Sequence, residues 1–385
     1  MIETVRVLRG ADPEIDRPAW RALAATARET PPQLLPGWQD AWWKHRGHGS
    51  ERVTIVVERG DVLVGVLPLA IGRSRAGQRI ARLAGVDWTC CDGAIVAPER
   101  SVEVATRLID GLAAVPHDAV VWGGLRADAV LGEVRGGRLR RVPRAAAPLL
   151  DLDTSWEETF ARLMSKRTRQ KLVSKWRGLD RLGAVSIEVL DQADDLLARL
   201  DEIAAIHHAR WESLTAERGV RDRSLFASAA GLAELRDRLA GLAADGAVRV
   251  LLVSIDGRPV AFRQYALVGG VLHGERSSFR PELAHYSLGL FAIVRAFEAA
   301  IGEGATLANL GHGTDDYKRQ LVDRDVAVDR AILAGPGPLG RVTAVALERL
   351  YRLRGVAREA GALELTRRLR RARGRQARNE PSNVA

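Results

Sequence analysis

The chain has 385 residues, of which 46% are hydrophobic and 28% are charged. This length exceeds what one hydrophobic core usually organises, and this composition supplies enough apolar surface to exclude a disordered protein, so we expect two folded domains. The formal net charge is +10 and comes from arginine, because the chain has only five lysines, Lys44, Lys166, Lys171, Lys175 and Lys318. A positive charge attracts nucleic acid, an anionic membrane or a phosphorylated substrate. A genome composition that favours arginine codons explains the charge equally well.

The sequence excludes several classes of protein. Cys90 and Cys91 are adjacent, so they form neither a disulfide framework nor a zinc site, and we expect no metal. The first 18 residues are partly acidic and contain no apolar run of signal-peptide length. No stretch is apolar enough to cross a bilayer. We therefore expect a cytoplasmic protein.

The first half, residues 1–150, has the pattern of an α/β domain. Three tryptophans in its second predicted helix either stack on a glycan or pack in the core. The predicted elements are a strand over Thr4–Leu8, a helix over Arg17–Ala27, a short helix carrying Trp38, Trp42 and Trp43, a hairpin of Val53–Glu58 and Val62–Ile71, a strand at Ala94–Val96, a helix over Val102–Leu112 and a strand over Ala119–Trp122.

The second half, residues 151–335, repeats this order of elements, with two-residue turns that indicate a three-strand meander. The predicted elements are helices over Trp156–Leu163 and Lys166–Leu182, a strand over Val185–Leu190, helices over Asp194–Leu214 and Leu225–Ala244, strands over Val248–Ile255, Val260–Val268 and Val271–Phe279, a helix over Ser287–Ile301, a strand over Thr306–Leu310, a short helix over Asp316–Leu321 and a strand over Val326–Leu333. Two Gly-Pro pairs then break the chain, and residues 336–385 read as a basic helical tail with a frayed end.

The most informative feature is the loop between the last strand of the meander and the next helix. A helix that begins at such a loop presents unpaired backbone N–H groups, which attract an anion such as the diphosphate of coenzyme A. The predicted contacts are made by Tyr286, Ser287, Leu288, Gly289 and Leu290. Alternatively, Ser287 merely caps the helix.

Five short motifs make the chain resemble the CelD-like branch of the GNAT acyltransferase superfamily, which is related to the Fem peptidyltransferases. Leu288 and Leu290 depart from the small or proline residues that many relatives carry there. The motifs are Ser165-Lys166 with Arg169, His207-His208-Ala209-Arg210-Trp211, Asp256-Gly257-Arg258-Pro259-Val260-Ala261, Tyr286-Ser287-Leu288-Gly289, and Gly311-His312-Gly313-Thr314-Asp315-Asp316-Tyr317-Lys318.

The resemblance implies an α/β (α+β) protein with two tandem GNAT-like domains, each a mostly antiparallel mixed sheet flanked by helices. It implies that the first copy is degenerate. It also implies transfer of an acyl group from acetyl-CoA or another acyl-CoA to an amine or hydroxyl of a small molecule, a sugar or a cell-envelope or polysaccharide precursor.

Candidate catalytic residues lie near the predicted cleft. Tyr317 is a candidate acid for the leaving thiolate, or it packs the short helix. Asp316 and Glu275 are candidate bases for the acceptor, and Asp315 and His312 are further ones. The aspartates equally suit helix capping.

Substrate contacts are predicted for Arg210, Trp211, Lys166 and Lys318. Packing explains Arg210 and Trp211 as well, and solvated surface positions explain the two lysines. His207 lies on an apolar helical stripe and is expected to be a buried, hydrogen-bonded core histidine.

Two other functions remain open. An aminoacyl-tRNA donor, as in the Fem relatives, gives the basic helix an obvious use, whereas the first reading involves neither tRNA nor DNA. A non-catalytic partner of a polysaccharide synthase is the second alternative. In either case the basic tail offers peripheral contact with the inner face of the membrane.

Overall fold

The computed structural model describes residues 3–10, 15–86, 93–134, 139–311 and 320–359. Its helices are α1 (Arg17–Thr26), α2 (Pro36–Arg46), α3 (Ser101–Gly111), α4 (Val130–Glu133), α5 (Trp156–Leu163), α6 (Lys166–Arg177), α7 (Ala193–Ala198), α8 (Leu200–Arg218), α9 (Ala229–Ala244), α10 (Leu288–Gly302) and α11 (Gly337–Glu359). Its strands are β1 (Glu3–Arg9), β2 (Glu51–Arg59), β3 (Val62–Arg73), β4 (Arg79–Leu83), β5 (Ile95–Val96), β6 (Ala119–Arg126), β7 (Leu139–Asp151), β8 (Val185–Leu190), β9 (Val248–Ile255), β10 (Arg258–Val268), β11 (Val271–Phe279), β12 (Leu307–Asn309) and β13 (Arg324–Ala334).

All the strands belong to one mixed, mostly antiparallel sheet of 13 strands flanked by helices, which confirms the expected fold class. The strand order is β1-β2-β3-β4-β6-β13-β7-β12-β11-β10-β9-β8, and β5 pairs with β3. Strand β13, from the end of the second half, lies between β6 and β7 of the first half. The predicted boundary at 150/151 falls inside β7, so the independence of the two domains stays a prediction.

The meander follows directly from its turn residues. Asp256 and Gly257 join β9 to β10 with φ values of 47° and 75°, and Gly269 and Gly270 join β10 to β11 with φ values of 55° and 76°. Positive φ at both central residues matches the right-handed twist of the flanking strands, so these turns fix the register of the hairpins. The meander thereby sets the neighbouring order β9-β10-β11 in the sheet.

Several elements differ from expectation. Strands β4 and β7 were not predicted, because β7 contains Pro143 and Pro148 among arginines and alanines, a composition atypical of a strand. The first long helix of the second half divides at Arg199 into α7 and α8. The basic helix ends at Arg177 and continues as a 3-10 helix over Leu179–Arg181.

A single hydrophobic cluster, here called the shared core, contains residues from both halves, such as Leu34 and Trp38 with Phe226 and Leu239. Helices α2 and α9 cross within it at Gly37 and Gly241, where a Cβ added to Gly241 would lie 2.5 Å from the Gly37 carbonyl oxygen. A second cluster, the α10 core, lies on the other face of the second-half sheet around Trp156, Phe160, Trp176, Phe291 and Phe297.

The tail helix α11 packs through one side only. Ala344, Leu347 and Tyr351 contact Val121 and Ile332 of the sheet. Its opposite side exposes a stripe of Leu339, Val342, Leu350, Leu353 and Val356. No helix in the described ranges is long and apolar enough to cross a membrane.

Candidate active site

The sheet opens between the parallel strands β11 and β12. Their pairing covers only Val271–His273 with Leu307–Asn309. The chain after Asn309 then turns away, because Leu310 N–H donates to the Pro148 carbonyl and Gly311 N–H donates to Asn309 Oδ1. Within the described ranges, residues 274–279 of β11 therefore keep one backbone edge without a strand partner.

Helix α10 begins beside this open edge. Ser287 precedes it with φ 55°, and its side chain accepts no capping hydrogen bond from the helix. The Ser287 N–H donates to Ala284 and the Phe291 N–H donates to Ser287, but the N–H groups of Leu288, Gly289 and Leu290 have no acceptor in the described part of the chain. Three of the five predicted residues thus offer free donors at the positive end of a 15-residue helix.

Two neighbouring helices hold this N-terminus in place. Lys175 of α6 donates from Nζ to Ser287 Oγ at 3.3 Å. Tyr286, in a 3-10 helix over Pro281–Tyr286, packs so closely on Gly178 that an added Cβ would lie 2.7 Å from its ring. On the other side, Arg210 of α8 stacks 4.7 Å above the Phe279 ring, whose edge contacts Gly289. Basic side chains therefore lie on both sides of the free amides.

A β-bulge in β11 adjoins the opening. Gly274 is opposite Tyr265 and Arg276 is opposite Gln264, so Glu275 has no partner on β10. The Gln33 side chain of the first half donates from Nε2 to Glu275 Oε1 at 3.1 Å. Burial raises the pKa of Glu275, and the charges of Arg276, Arg238 and Arg263 partly oppose this effect. A carboxylate with a raised pKa suits a general base.

Arg263 lies at the base of the opening on the α10 side. Its side chain is 2% exposed and crosses Gly274, where an added Cβ would lie 2.1 Å from Nη2. Its Nε has no hydrogen-bond partner, and no hydrogen bond or ion pair joins it to the described residues. Only glycine at position 274 leaves room for this guanidinium.

A buried polar network joins the halves behind the opening. Arg126 pairs with Glu29, whose other oxygen accepts from Asn309 Nδ2 at 2.7 Å. His273 lies beside this pair, fully buried, and burial lowers its pKa to about 4. The network ties Asn309, at the end of β12, to Glu29 and Arg126 of the first half.

His207 is buried and hydrogen-bonded, as predicted for a core residue. Its Nε2 contacts Asp222 Oδ2 at 3.0 Å and Ser224 Oγ at 2.9 Å, and its Nδ1 contacts Ser278 Oγ at 3.2 Å. This chain of contacts ties the α8–α9 connection to β11. Ser278 is 3% exposed, so it serves packing rather than substrate contact.

The remaining predicted site residues are scattered. Tyr317, Asp316 and Lys318, with Asp315 and His312, lie outside the described residues. Lys166 is exposed at the start of α6. Arg210 and Trp211 are partly buried on α8, where Arg210 braces Phe279 and Trp211 lies 6.0 Å from the His207 ring. In the ranges given above, no group of three or more His, Cys, Asp or Glu side chains is placed to hold a metal.

Several residues around the opening, Arg263 among them, were not predicted. Gln33 comes from the first half and carries no local signal. Arg276 and Lys175 sit at ordinary strand and helix positions, and only the bulge and the packing of α6 give them their places.

Residues 166–319 match the acetyltransferase (GNAT) domain family. The structure resembles that of FemX, with a TM-score of 0.60, 11% identity and coverage of 86% of this chain and 97% of that one. It also resembles the C-terminal DUF2156 domain of a putative lysylphosphatidylglycerol synthetase from Agrobacterium fabrum, with a TM-score of 0.51, 12% identity and coverage of 86% and 95%. A search of curated protein sequences finds no match.

The overall fold is thus similar to those of FemX and the DUF2156 domain, and the family match covers residues 166–319. The chain carries a GNAT acetyltransferase domain within residues 166–319, which confirms the expected acyltransferase. The narrower CelD-like resemblance stays a prediction.

Proposed function

We propose that the protein transfers an acyl group from acetyl-CoA or another acyl-CoA to an amine or hydroxyl. One observation carries the proposal, namely the three free amides of Leu288, Gly289 and Leu290 beside the unpaired edge of β11. Backbone donors at a helix N-terminus suit a diphosphate. The strand edge suits the amide-containing arm of coenzyme A, because an extended ligand hydrogen-bonds to an open edge as an added strand does.

Glu275 acts as the base in this proposal. The acceptor nitrogen or oxygen attacks the thioester carbon, the carbon–sulfur bond breaks, and Glu275 takes the acceptor proton. Tyr317 gives a proton to the departing thiolate, as the sequence predicts, so that the products are the acylated acceptor and free coenzyme A. Holding both reactants in one cleft supplies much of the rate enhancement.

Thermal unfolding with added ligand tests the donor. A ligand that binds only the native state stabilises it by about 2.7 kcal/mol at 100 times its Kd. We expect acetyl-CoA to raise Tm and S-acetylpantetheine, which lacks the diphosphate, to leave it unchanged. Equal effects of the two compounds would remove the diphosphate from the proposal. No effect of acetyl-CoA, together with no release of coenzyme A in the presence of amines, would contradict it entirely.

A second candidate donor is an aminoacyl-tRNA. The resemblance to FemX along most of the chain favours it, as do the exposed lysines of α6, of which Lys175 contacts Ser287 at the start of α10. This donor predicts that charged tRNA, and not acetyl-CoA, stabilises the protein, with an affinity that falls steeply with salt.

The CelD-like resemblance favours a sugar or polysaccharide-precursor acceptor. A non-catalytic accessory role, by contrast, predicts no turnover with either donor.

We also propose peripheral contact with an anionic membrane through α11. Val342, Leu353 and Val356 are 65%, 68% and 63% exposed, and arginines such as Arg349 and Arg354 lie among them. A helix with an exposed apolar stripe and a basic border binds at a lipid interface. Wild-type protein should sediment with anionic vesicles, and a Leu353→Asp, Val356→Asp variant should not. Equal sedimentation of both proteins would contradict this contact.

A further inference from the structure

The bulge in β11 presents two consecutive side chains of opposite charge to the same side of the sheet. Cross-strand partners share a face, so Arg276 lies on the face of Gln264 and of Phe262 two residues before it. Phe262 packs against Phe226 at 6.1 Å, and the Arg276 guanidinium lies 5.8 Å from that same ring. Glu275 meets Gln33, which belongs to the first half. Both side chains thus lie on the side of the sheet where the two halves pack together, opposite the α10 side.

The guanidinium of Arg276 forms no hydrogen bond to an anion in the described part of the chain, although the charges of Glu275, Asp222 and Glu234 act on it. No hydrogen bond or ion pair joins it to the described residues, and its Nη1 is buried without an acceptor. Arginine presents a rigid fork of donors, and burying a cation without partners costs free energy. The contact with Phe226 holds the group in position but does not satisfy its donors.

The nearby acids are already engaged. Asp222 accepts from the Ser224 amide at 2.8 Å and contacts His207. Glu234 pairs with Arg238 and accepts from Arg46 Nε at 2.8 Å. Arg238 of α9 is also within reach of the charges of Glu275 and Arg276. Unlike Arg276, it has an ion pair with Glu234 and stacks 4.2 Å above Trp38. Arg276, unlike Arg238, therefore has no hydrogen-bonded acid among the described residues, and its donors are available to an anion from a ligand.

We infer that the acceptor carries a carboxylate close to its reacting amine, as an amino acid or a related small molecule does. Arg276 binds the carboxylate as a bidentate fork, and Glu275 faces the amine. The inference rests on the proposed function and narrows its acceptor. Arg276 acts as a specificity residue, because it selects among amines without taking part in the proton transfer.

Matched pairs of acceptors test the inference. Release of coenzyme A from acetyl-CoA is measured with amino acids and with the corresponding amino-acid amides, which keep the amine and lose the carboxylate. We expect kcat/KM to favour the acids by roughly 10- to 100-fold, the range for a hydrogen-bonded charge pair. Arg276→Gln also removes a charge that lowers the pKa of Glu275, so the readout is the ratio of kcat/KM for acids to kcat/KM for amides. This ratio should fall towards one in Arg276→Gln, and Arg276→Lys should retain part of the preference. Equal use of acids and amides by the wild type, or an equal loss of both in Arg276→Gln, would overturn the inference.

Binding measurements separate this failure from failure of the proposed function. Stabilisation by acetyl-CoA reports the donor site and should be the same in wild type and Arg276→Gln. Stabilisation by amino acids, measured without a donor, should appear in the wild type only. Amino acids that stabilise both proteins alike, or neither, contradict the inference, whereas absence of donor binding contradicts the proposed function alone.

Discussion

The two halves of the chain contain the same local arrangement, a parallel strand pair joined through a helix, and they differ in the residues around the start of that helix. In the first half, β4 and β6 pair in parallel over Ile80–Arg82 and Ala119–Val121, and α3 connects them. In the second half, β11 and β12 pair in parallel over three residues as well, and α10 connects them. Each helix follows a non-glycine residue in the left-handed region, Arg100 with φ 59° and Ser287 with φ 55°.

The differences lie in the first turn and in the strand. Glu103 is the third residue of α3, where its negative charge complements the helix dipole and repels an anion, whereas Leu290 occupies that place in α10. The β3–β4 pairing has no irregularity, whereas the β10–β11 pairing has the bulge at Glu275. An open cavity of about 650 Å³ lies instead beside β6 and β13 and is lined largely by apolar residues such as Ile109, Trp122 and Leu333. The two halves thus share the geometry of the strand pair and its helix but differ in the charge at the helix start and in the bulge.

Removing the base from the second half should have the largest effect. We expect Glu275→Gln to lower kcat by roughly 100- to 10,000-fold, the usual contribution of a general base. Because burial raises the pKa of Glu275, wild-type kcat/KM should rise with pH through a value above that of an ordinary glutamate, and the variant should lack this rise. The ionised side chain costs stability above its folded pKa, so the variant should unfold at the same or a higher temperature. Unchanged activity in Glu275→Gln would assign the base elsewhere.

The second-largest effect is expected from disturbing the contact between α2 of the first half and α9 of the second half. A Cβ at position 241 collides with the backbone of Gly37, so Gly241→Ala should reduce the free energy of unfolding by about 1–3 kcal/mol, measured with denaturant. Gly302→Ala in α10 is the matched control, because nothing lies within 4 Å of its added Cβ. That control should be neutral or slightly stabilising. Equal unfolding curves for the two variants would mean that α2 and α9 do not pack so closely.

Giving α10 the charge of α3 should abolish the difference between the two helix starts. Leu290→Glu places a carboxylate where Glu103 lies in α3 and should weaken acetyl-CoA binding by roughly 10-fold. Leu290→Gln has the same size without the charge and should bind nearly as the wild type does. Glu103→Gln in α3 should leave binding unchanged. Equal affinities of Leu290→Glu and Leu290→Gln, measured calorimetrically, would exclude an anion at this helix start.

The smallest expected effect on stability comes from His273, which lies on β11 opposite Asn309 of β12. Burial lowers the pKa of His273 from 6.5 to about 4. Between these two pKa values, this histidine is protonated in the unfolded chain and neutral in the native protein. Stability therefore falls as the pH drops below 6.5, by roughly 0.7 kcal/mol between pH 7 and pH 6 from this residue. His273→Gln should remove that part of the pH dependence in denaturant titrations. An unchanged slope would place the histidine in a more polar environment than the structure gives it.

The local pattern of the sequence predicted most elements of the second half. The hydrophobic periodicity and the capping residue Ser155 define α5 at the predicted bounds, and the turns Asp256-Gly257 and Gly269-Gly270 define the meander. The loop before α10 was recognised because helix starts have a physical signature in few residues. These features depend on neighbours within a few positions, so the sequence alone determines them.

Only the tertiary structure decided how the site is completed. Strand β13 inserts between β6 and β7, and β7 pairs with β12 of the other half. These long-range pairings have no local signal in the sequence. Gln33 reaches Glu275 across 242 positions, and a one-residue register shift puts Arg276 beside it on the same face. Such contacts follow from the packing of the two halves around one core, and no sequence window contains both partners.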